Sequence, residues 1–274
     1  MALYIQNPEE LKRKLGKFNK DNFHVVSDFD KTLTKAFVQG KKVLSSYSLI
    51  REGNYLSPDY VKQAYALFDK YHPYEISNTI SLDKKKKYMD QWWKEHWELM
   101  WNSGMNQGVL EDVISKGKLE LRSGAEDFFT LLGDVPILIF SAGFGNLIEL
   151  YLKSENLMKP NVHLVANFFT FSEDGKIKEI PEHYVHTFNK NEYEISSTPY
   201  QKEITKKSNV ILLGDSLGDL GMTEGMNHDE VIRIGFLNDK IEELLGAYSE
   251  KFDVVITEDG SFEEVNEILR KILH

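Results

Sequence analysis

The stretch Val25-Val26-Ser27-Asp28-Phe29-Asp30-Lys31-Thr32-Leu33-Thr34 constrains this chain more than any other. It begins as an apolar run of strand length and ends in two carboxylates one residue apart. In a strand, residues i and i+2 face the same way, so Asp28 and Asp30 are expected to point together from the end of a buried strand. Carboxylates held that close repel each other unless a cation or a proton lies between them. The pair asks for a metal, a phosphoryl-transfer role, or both.

Other short apolar runs repeat the pattern. Pro136 to Phe140 ends in Ser141-Ala142-Gly143, and Val210 to Leu213 ends in Gly214-Asp215-Ser216. Val162–Ala166, Val231–Ile234 and Asp253–Ile256 read as further strands, and Phe168–Ile180 as a hairpin around Asp174-Gly175. Helical segments alternate with them: Pro8 to about Phe18, Gly145 to Leu157 and Asp239 to Tyr248. Ser123-x-x-Glu126 and Ser261-x-x-Glu264 read as capping boxes for two more. Strands apolar on both faces, alternating with helices, predict an α/β fold with a doubly wound parallel sheet.

Residues 37–120 break the rhythm and read as a helical insert, a candidate cap, leaving 1–36 and 121–274 as the core. One insert helix is expected to stop at His72-Pro73. Another starts near Leu82 and carries Met89, Trp93, His96, Trp97 and Met100 on one side.

With 274 residues the chain can hold a large domain plus a smaller insert. The net charge of -10 argues against a nucleic-acid polymer as partner. The absence of cysteine excludes disulfides, thiol nucleophiles and Cys-based zinc sites. No apolar run is long enough for a bilayer and the N-terminus lacks a signal-peptide pattern, so a cytoplasmic protein without a membrane partner is expected. A monomer is favoured.

Ligands of such sheets bind outside the carboxyl ends of the strands, where Asp28, Asp30, Ser141, Asp215 and Asp219 are expected to converge. A carboxylate can attack phosphorus, and a second can protonate the leaving oxygen and then activate water. Further acids supply hard oxygen ligands for Mg²⁺. A lysine is needed to offset the charge, and Lys190 in His186-Thr187-Phe188-Asn189-Lys190 is the candidate.

Asp28-Phe29-Asp30-Lys31-Thr32-Leu33-Thr34, Ser141-Ala142-Gly143, Lys190 and Gly214-Asp215-Ser216-Leu217-Gly218-Asp219 resemble the four motifs of the haloacid dehalogenase superfamily. Phe140 to Gly143, His186 to Lys190, Ile211 to Leu220 and Ile234 to Asp239 resemble the cytosolic 5′-nucleotidase III (pyrimidine 5′-nucleotidase) family within it. The resemblance implies a Mg²⁺-dependent 5′-nucleotidase acting on nucleoside monophosphates through an aspartyl-phosphate, with phosphotransferase side activity. It implies Asp28 as nucleophile, Asp30 as general acid/base, and Ser141, Ala142 and Gly143 as phosphate binders. Lys190 would stabilise the intermediate, and Asp28, the Asp30 main-chain carbonyl, Asp215 and Asp219 would hold the metal. Glu75 and Trp93 match nucleoside-contacting positions, with Tyr47 and His96 as neighbours. A tryptophan at position 93 would favour a cationic, methylated purine, which leaves the nucleobase open. The alternatives are a phosphatase for another small phosphomonoester and a non-catalytic binding protein on the same scaffold.

Overall fold

The computed structural model describes residues 2–43, 45–77, 79–117, 119–191, 198–225 and 227–273; Leu44, Asn78 and Lys118 of the expected insert lie outside them. In chain order, β1 (Leu3–Tyr4), α1 (Pro8–Leu15) and β2 (Phe23–Ser27) precede the hairpin β3 (Phe37–Val38) and β4 (Lys41–Lys42). Four helices follow: α2 (Ser46–Glu52), α3 (Tyr60–Ile76), α4 (Leu82–Asn102) and α5 (Gln107–Ser115). The alternating half holds α6 (Ala125–Leu132), β5 (Ile137–Phe144), α7 (Gly145–Ser154), β6 (Val162–Asn167), β7 (Thr170–Phe171) and β8 (Ile177–Glu179). It continues with α8 (Pro199–Ile204), β9 (Asn209–Gly214), a 3-10 helix (Leu217–Thr223), β10 (Glu230–Leu237), α9 (Ile241–Ser249), β11 (Val254–Thr257) and α10 (Glu263–Leu273).

Among the described residues, seven strands form one sheet in the order β1-β11-β10-β9-β2-β5-β6, parallel except for β1 at the edge. The continuous apolar runs are explained by the period-2 alternation of strand side chains between two covered faces. Phe23, Val25, Ile137, Ile139, Ile211 and Leu213 pack with Phe128, Leu147, Phe262 and Leu269 on one face. Val26, Leu138, Phe140, Val210 and Leu212 pack with Tyr200, Ile204 and Met222 on the other. The chain runs β2→β5→β6 in one direction and then returns to the other side of β2 for β9, β10 and β11. The strand order therefore reverses at β2, and a crevice opens there, beyond the strand ends. The three strands with chemistry at their ends, β9, β2 and β5, are immediate neighbours.

Between β2 and α6 the main elements are the helices α2 to α5, as expected for the insert, with the short β3–β4 hairpin in front of them. Its turn uses Gln39 and Gly40 at φ 51° and 73°, a left-handed pair that glycine makes accessible. The apolar packing is continuous from insert to sheet: Leu49, Ile50, Trp97, Met100 and Leu110 belong to the cluster that contains Phe144 and Leu147.

Several local expectations are corrected. Helix α3 does not stop at His72-Pro73 but carries Pro73 inside and runs to Ile76. Proline there forfeits one backbone bond, to the carbonyl of the exposed Asp69, near the helix end. Packing outweighs that loss, because Tyr71 stacks on Trp92 of α4 at 6.1 Å and donates its hydroxyl to Glu95 at 2.7 Å. The first helix ends at Leu15 rather than Phe18, and α7 ends at Ser154 rather than Leu157. The capping box at Ser123 does not form. Gly124 is the N-cap at φ 81°, and its carbonyl accepts the Asn266 side-chain amide at 3.0 Å from α10. Ser261 makes only a 3.4 Å contact with the Glu263 N–H. Strand β5 extends through Ser141-Ala142-Gly143 to Phe144. Among the described residues, no helix is long and apolar enough to cross a membrane.

Candidate active site

Asp28 sits one residue past β2 and keeps its backbone in the ladder, donating its N–H to Leu213 of β9 at 3.0 Å. That pairing fixes where its carboxylate emerges. Lys190 Nζ lies 2.6 Å from Asp28 Oδ1 and 2.9 Å from Asp219 Oδ1, all three side chains being buried. Asp219 is aimed by a capping box not anticipated from sequence: its Oδ2 accepts both the backbone N–H and the hydroxyl of Ser216, each at 2.9 Å. Gly214 permits this, since a Cβ there would lie 2.5 Å from Asp219 Cβ. Asp215 is held through its carbonyl, which accepts the Tyr248 hydroxyl at 2.7 Å.

Lys190 lies between β8 and α8, and polar side chains define the path of the residues that lead up to it. Asn189 accepts the His186 N–H at 2.7 Å and donates to the Tyr184 carbonyl at 2.7 Å. Asn167, at the end of β6, makes paired bonds with the Val185 backbone at 2.8 and 2.9 Å and also donates to the Ala142 carbonyl at 3.0 Å. The lysine segment and the serine motif are thus tied to one asparagine.

One oxygen from each of Asp28, Asp215 and Asp219 lies within 4.8 Å of the others. Burial pushes Asp28 up to about 7, the Lys190 ammonium opposing and the Asp219 charge adding to the shift. Burial, reinforced by Asp219 and Asp28, drives Asp215 well above the usual carboxylate range. Four carboxylates, Asp30 included, line the cleft against two ammoniums, Lys190 and Lys31, so a further positive charge is favoured there. A hard, all-oxygen donor set of this kind fits Mg²⁺.

Asp30 has a different partner. Its oxygens accept the Ser46 backbone N–H at 3.1 and 3.2 Å and the Ser46 hydroxyl at 3.1 Å. Burial raises the Asp30 carboxyl, and both Ser46 donors oppose that shift. On the other side, β5 bulges between Phe140 and Phe144, spending four positions against two on β6. The bulge turns Ser141 inward, where its Oγ accepts the Gly143 N–H at 2.9 Å. Gly143 has no room for a side chain: a Cβ would lie 2.6 Å from Ser46 Oγ and 3.0 Å from Asp30 Oδ2.

These groups line one cleft of about 200 Å³. Asp28, Asp30, Ser141, Ala142, Gly143, Lys190, Asp215 and Asp219 all face it, and so do Tyr47 and Trp93 of the insert. The Trp93 indole is fixed by its Nε1–H, which donates to the Val185 carbonyl at 2.6 Å, and Tyr47 lies 5.3 Å from it between ring centroids. Glu75 is one bond removed from the cleft, accepting the hydroxyl of Thr187, a lining residue, at 3.2 Å. His96 does not reach the cleft. It is buried behind Tyr47, pairs with the Tyr60 hydroxyl at 3.1 Å, and is held neutral because burial lowers it to about 4.

Sequence reasoning missed Ser46, Asn167 and Arg122. Arg122 is 2% exposed and braces the loop after Asp30, donating to the Thr32 carbonyl and to Asn238 at 2.9 and 2.8 Å. None of the three carries a local signal, since each partner is distant in sequence.

The sequence model of the pyrimidine 5′-nucleotidase (UMPH-1) family matches residues 31–273. The 7-methylguanosine phosphate-specific 5′-nucleotidase of Mus musculus is 34% identical over 269 residues, covering 97% of this chain and 90% of that protein. The structure of cytosolic 5′-nucleotidase IIIB bound to cytidine superposes with a TM-score of 0.89 at 30% identity, covering 98% of this chain and 93% of that one. A phosphoserine phosphatase captured as a phospho-aspartyl intermediate analogue shares the fold, with a TM-score of 0.53 at 14% identity over 91% of this chain and 99% of that one.

Proposed function

The chain belongs to the pyrimidine 5′-nucleotidase (UMPH-1) family and is a 5′-nucleotidase with a haloacid dehalogenase core; on that premise we propose that it hydrolyses nucleoside 5′-monophosphates with Mg²⁺, N7-methylated guanosine monophosphate being favoured. One observation carries the reading: the cleft that holds the carboxylate–lysine cluster is also lined by Trp93 and Tyr47. Phosphate and base can then be gripped together.

Asp28 attacks phosphorus while Asp30 gives a proton to the departing ribose oxygen, producing the nucleoside and an aspartyl-phosphate. Asp30 then takes a proton from water as it attacks phosphorus, which frees phosphate and restores Asp28. Ser141 and the backbone N–H groups around Ala142 and Gly143 hold the phosphoryl oxygens, and Lys190 offsets charge on Asp28. Asp28, Asp215, the Asp30 carbonyl and Asp219 would hold Mg²⁺, which supplies positive charge opposite the phosphoryl group when bound. Residues 37–120 act as the cap that selects the nucleoside. Glu75, bonded to Thr187 of the cleft wall, would meet the sugar or base edge by exchanging that bond. The cytoplasm, where thiols stay reduced and disulfides are rare, is a compartment that suits a chain with no cysteine.

The base preference follows from Trp93. A 7-methylguanine carries a positive charge, which an indole face attracts by ~1–2 kcal/mol. Turnover of 7-methyl-GMP, GMP, CMP, UMP and p-nitrophenyl phosphate tests this. We expect 7-methyl-GMP to exceed GMP in kcat/KM, and Trp93→Leu to lower it by ~10-fold with a smaller loss for CMP. Equal rates on nucleotides and simple phosphomonoesters would overturn the reading.

The metal has a stability signature. Asp28 holds its proton more tightly folded than unfolded, so the stability it contributes is present at low pH and is lost as pH rises through about 7. A bound Mg²⁺ would supply at this cluster the positive charge that the proton supplies at low pH. Saturating Mg²⁺ is expected to raise Tm by several degrees near about pH 8 and by much less near about pH 5.5. A Tm indifferent to Mg²⁺ at both would remove the metal from this cluster.

A further inference from the structure

Ser46 is completely buried, yet it is not part of the phosphate-binding set and is the first residue of α2, outside the catalytic sheet. Its backbone N–H lies within 3.2 Å of both Asp30 oxygens and its hydroxyl donates to Oδ2 at 3.1 Å. The same Oγ accepts the Phe144 N–H at 3.0 Å, at the end of β5. That second bond leaves the hydroxyl proton free to point only toward Asp30. One side chain thus joins the loop after β2, the end of β5 and the start of the insert. A carboxylate with donors on both oxygens cannot swing freely, so the position of its proton relative to the cleft is set from outside the sheet.

We infer that Ser46 is the positioning residue for Asp30, so that proton delivery to the leaving alcohol requires α2 of the insert to be seated. The inference rests on the acid/base role of Asp30 proposed above. In the first step the P–O5′ bond breaks, its electron pair stays on oxygen, and the Asp30 proton moves to that oxygen. If Asp30 is displaced when Ser46 lets go, an alkoxide must leave unprotonated. A substrate whose leaving group needs no proton, such as p-nitrophenyl phosphate, is far less affected.

The test compares kcat/KM, which covers the steps up to departure of the alcohol, for a nucleoside 5′-monophosphate and for p-nitrophenyl phosphate. Asp30→Asn calibrates the assay and is expected to lower the nucleotide value by ~10² or more beyond the loss on p-nitrophenyl phosphate. Ser46→Ala is expected to show the same discrimination at ~10-fold or more, with the nucleotide KM changed far less than kcat. Ser46→Cys keeps a side chain of similar size with a much weaker donor, and decides the matter should the alanine variant fail to fold. In the Asp30→Asn background, Ser46→Ala should add no further discrimination, as for residues acting through one another. If Asp30→Asn itself shows no dependence on the leaving group, the acid/base reading fails. If Asp30→Asn discriminates and neither Ser46 variant does, the inference about Ser46 alone is overturned.

Discussion

Asp28→Asn is expected to lower phosphate release by at least ~10⁴-fold while leaving the protein folded. An amide has no lone pair basic enough to attack phosphorus, so the covalent step is lost outright. The backbone of residue 28 is held by the ladder bond to Leu213, and the Lys190–Asp219 bond does not depend on the Asp28 charge. Asparagine also removes one negative charge from a cluster of three close carboxylates, two of which, Asp28 and Asp219, share the Lys190 ammonium. The metal-free Tm near about pH 8 should therefore be unchanged or raised, because the wild-type cluster is charged there and the variant less so. Loss of turnover with retained Tm is the combined signature. A variant with near-normal turnover would show that Asp28 is not the nucleophile.

The catalytic edge was readable because its chemistry sits where buried strands stop. Val26, Leu138 and Leu212 had to be interior, so the polar residues after them had to lie at the edge, and adjacency of β9, β2 and β5 brought them together. Lys190 was readable only by motif, since its position depends on Asn167 and Asn189 rather than on a strand. Ser46 was not readable at all. Its partner is sixteen residues away, and Ser45-Ser46 looks like any helix start.

Other differences show tertiary contacts overriding local preference. Pro73 marks a helix stop by its own chemistry, yet Tyr71 and Trp92 pack well enough to carry α3 past it. Ser123 has the spacing of a capping box, but Gly124 takes a left-handed turn that Asn266 completes from 142 residues away. The box that does form, Ser216 with Asp219, has the same Ser-x-x-acid spacing and serves the active site. Strand β1 is two residues long and pairs with β11 at the opposite end of the chain, so no local pattern could announce it. At position 93, spacing alone does not separate tryptophan from Trp97 on the same helix side, and only the resemblance singles it out; the structure buries Trp92 and Trp97 and leaves Trp93 half-buried on the cleft.

Lys190→Met should disturb both stability and turnover, in contrast to Asp28→Asn. Methionine fills the lysine's volume but leaves Asp28 and Asp219 without the ammonium that lies 2.6 and 2.9 Å from them. Breaking a buried ion pair from one side costs about 3–5 kcal/mol, because the partner charge stays buried. Protonation of the abandoned carboxylates limits the cost at low pH. With Asp28 already raised to about 7 in the wild type, removing the opposing ammonium raises it further, and the loss of Tm should grow as pH rises. Added Mg²⁺ should recover part of that Tm, since a cation in the carboxylate cluster does electrostatically what the ammonium did. Turnover should not recover with it, falling by ~10²–10³, because the charge that offsets the phosphorylated Asp28 must be on the lysine side of the site. Lys190→Arg is expected to fail as a substitute, its planar fork being too large for a buried point-charge position between two carboxylates. A Lys190→Met protein with wild-type Tm at every pH would mean that Lys190 is not the counter-charge of this cluster, and retained turnover would remove it from the reaction.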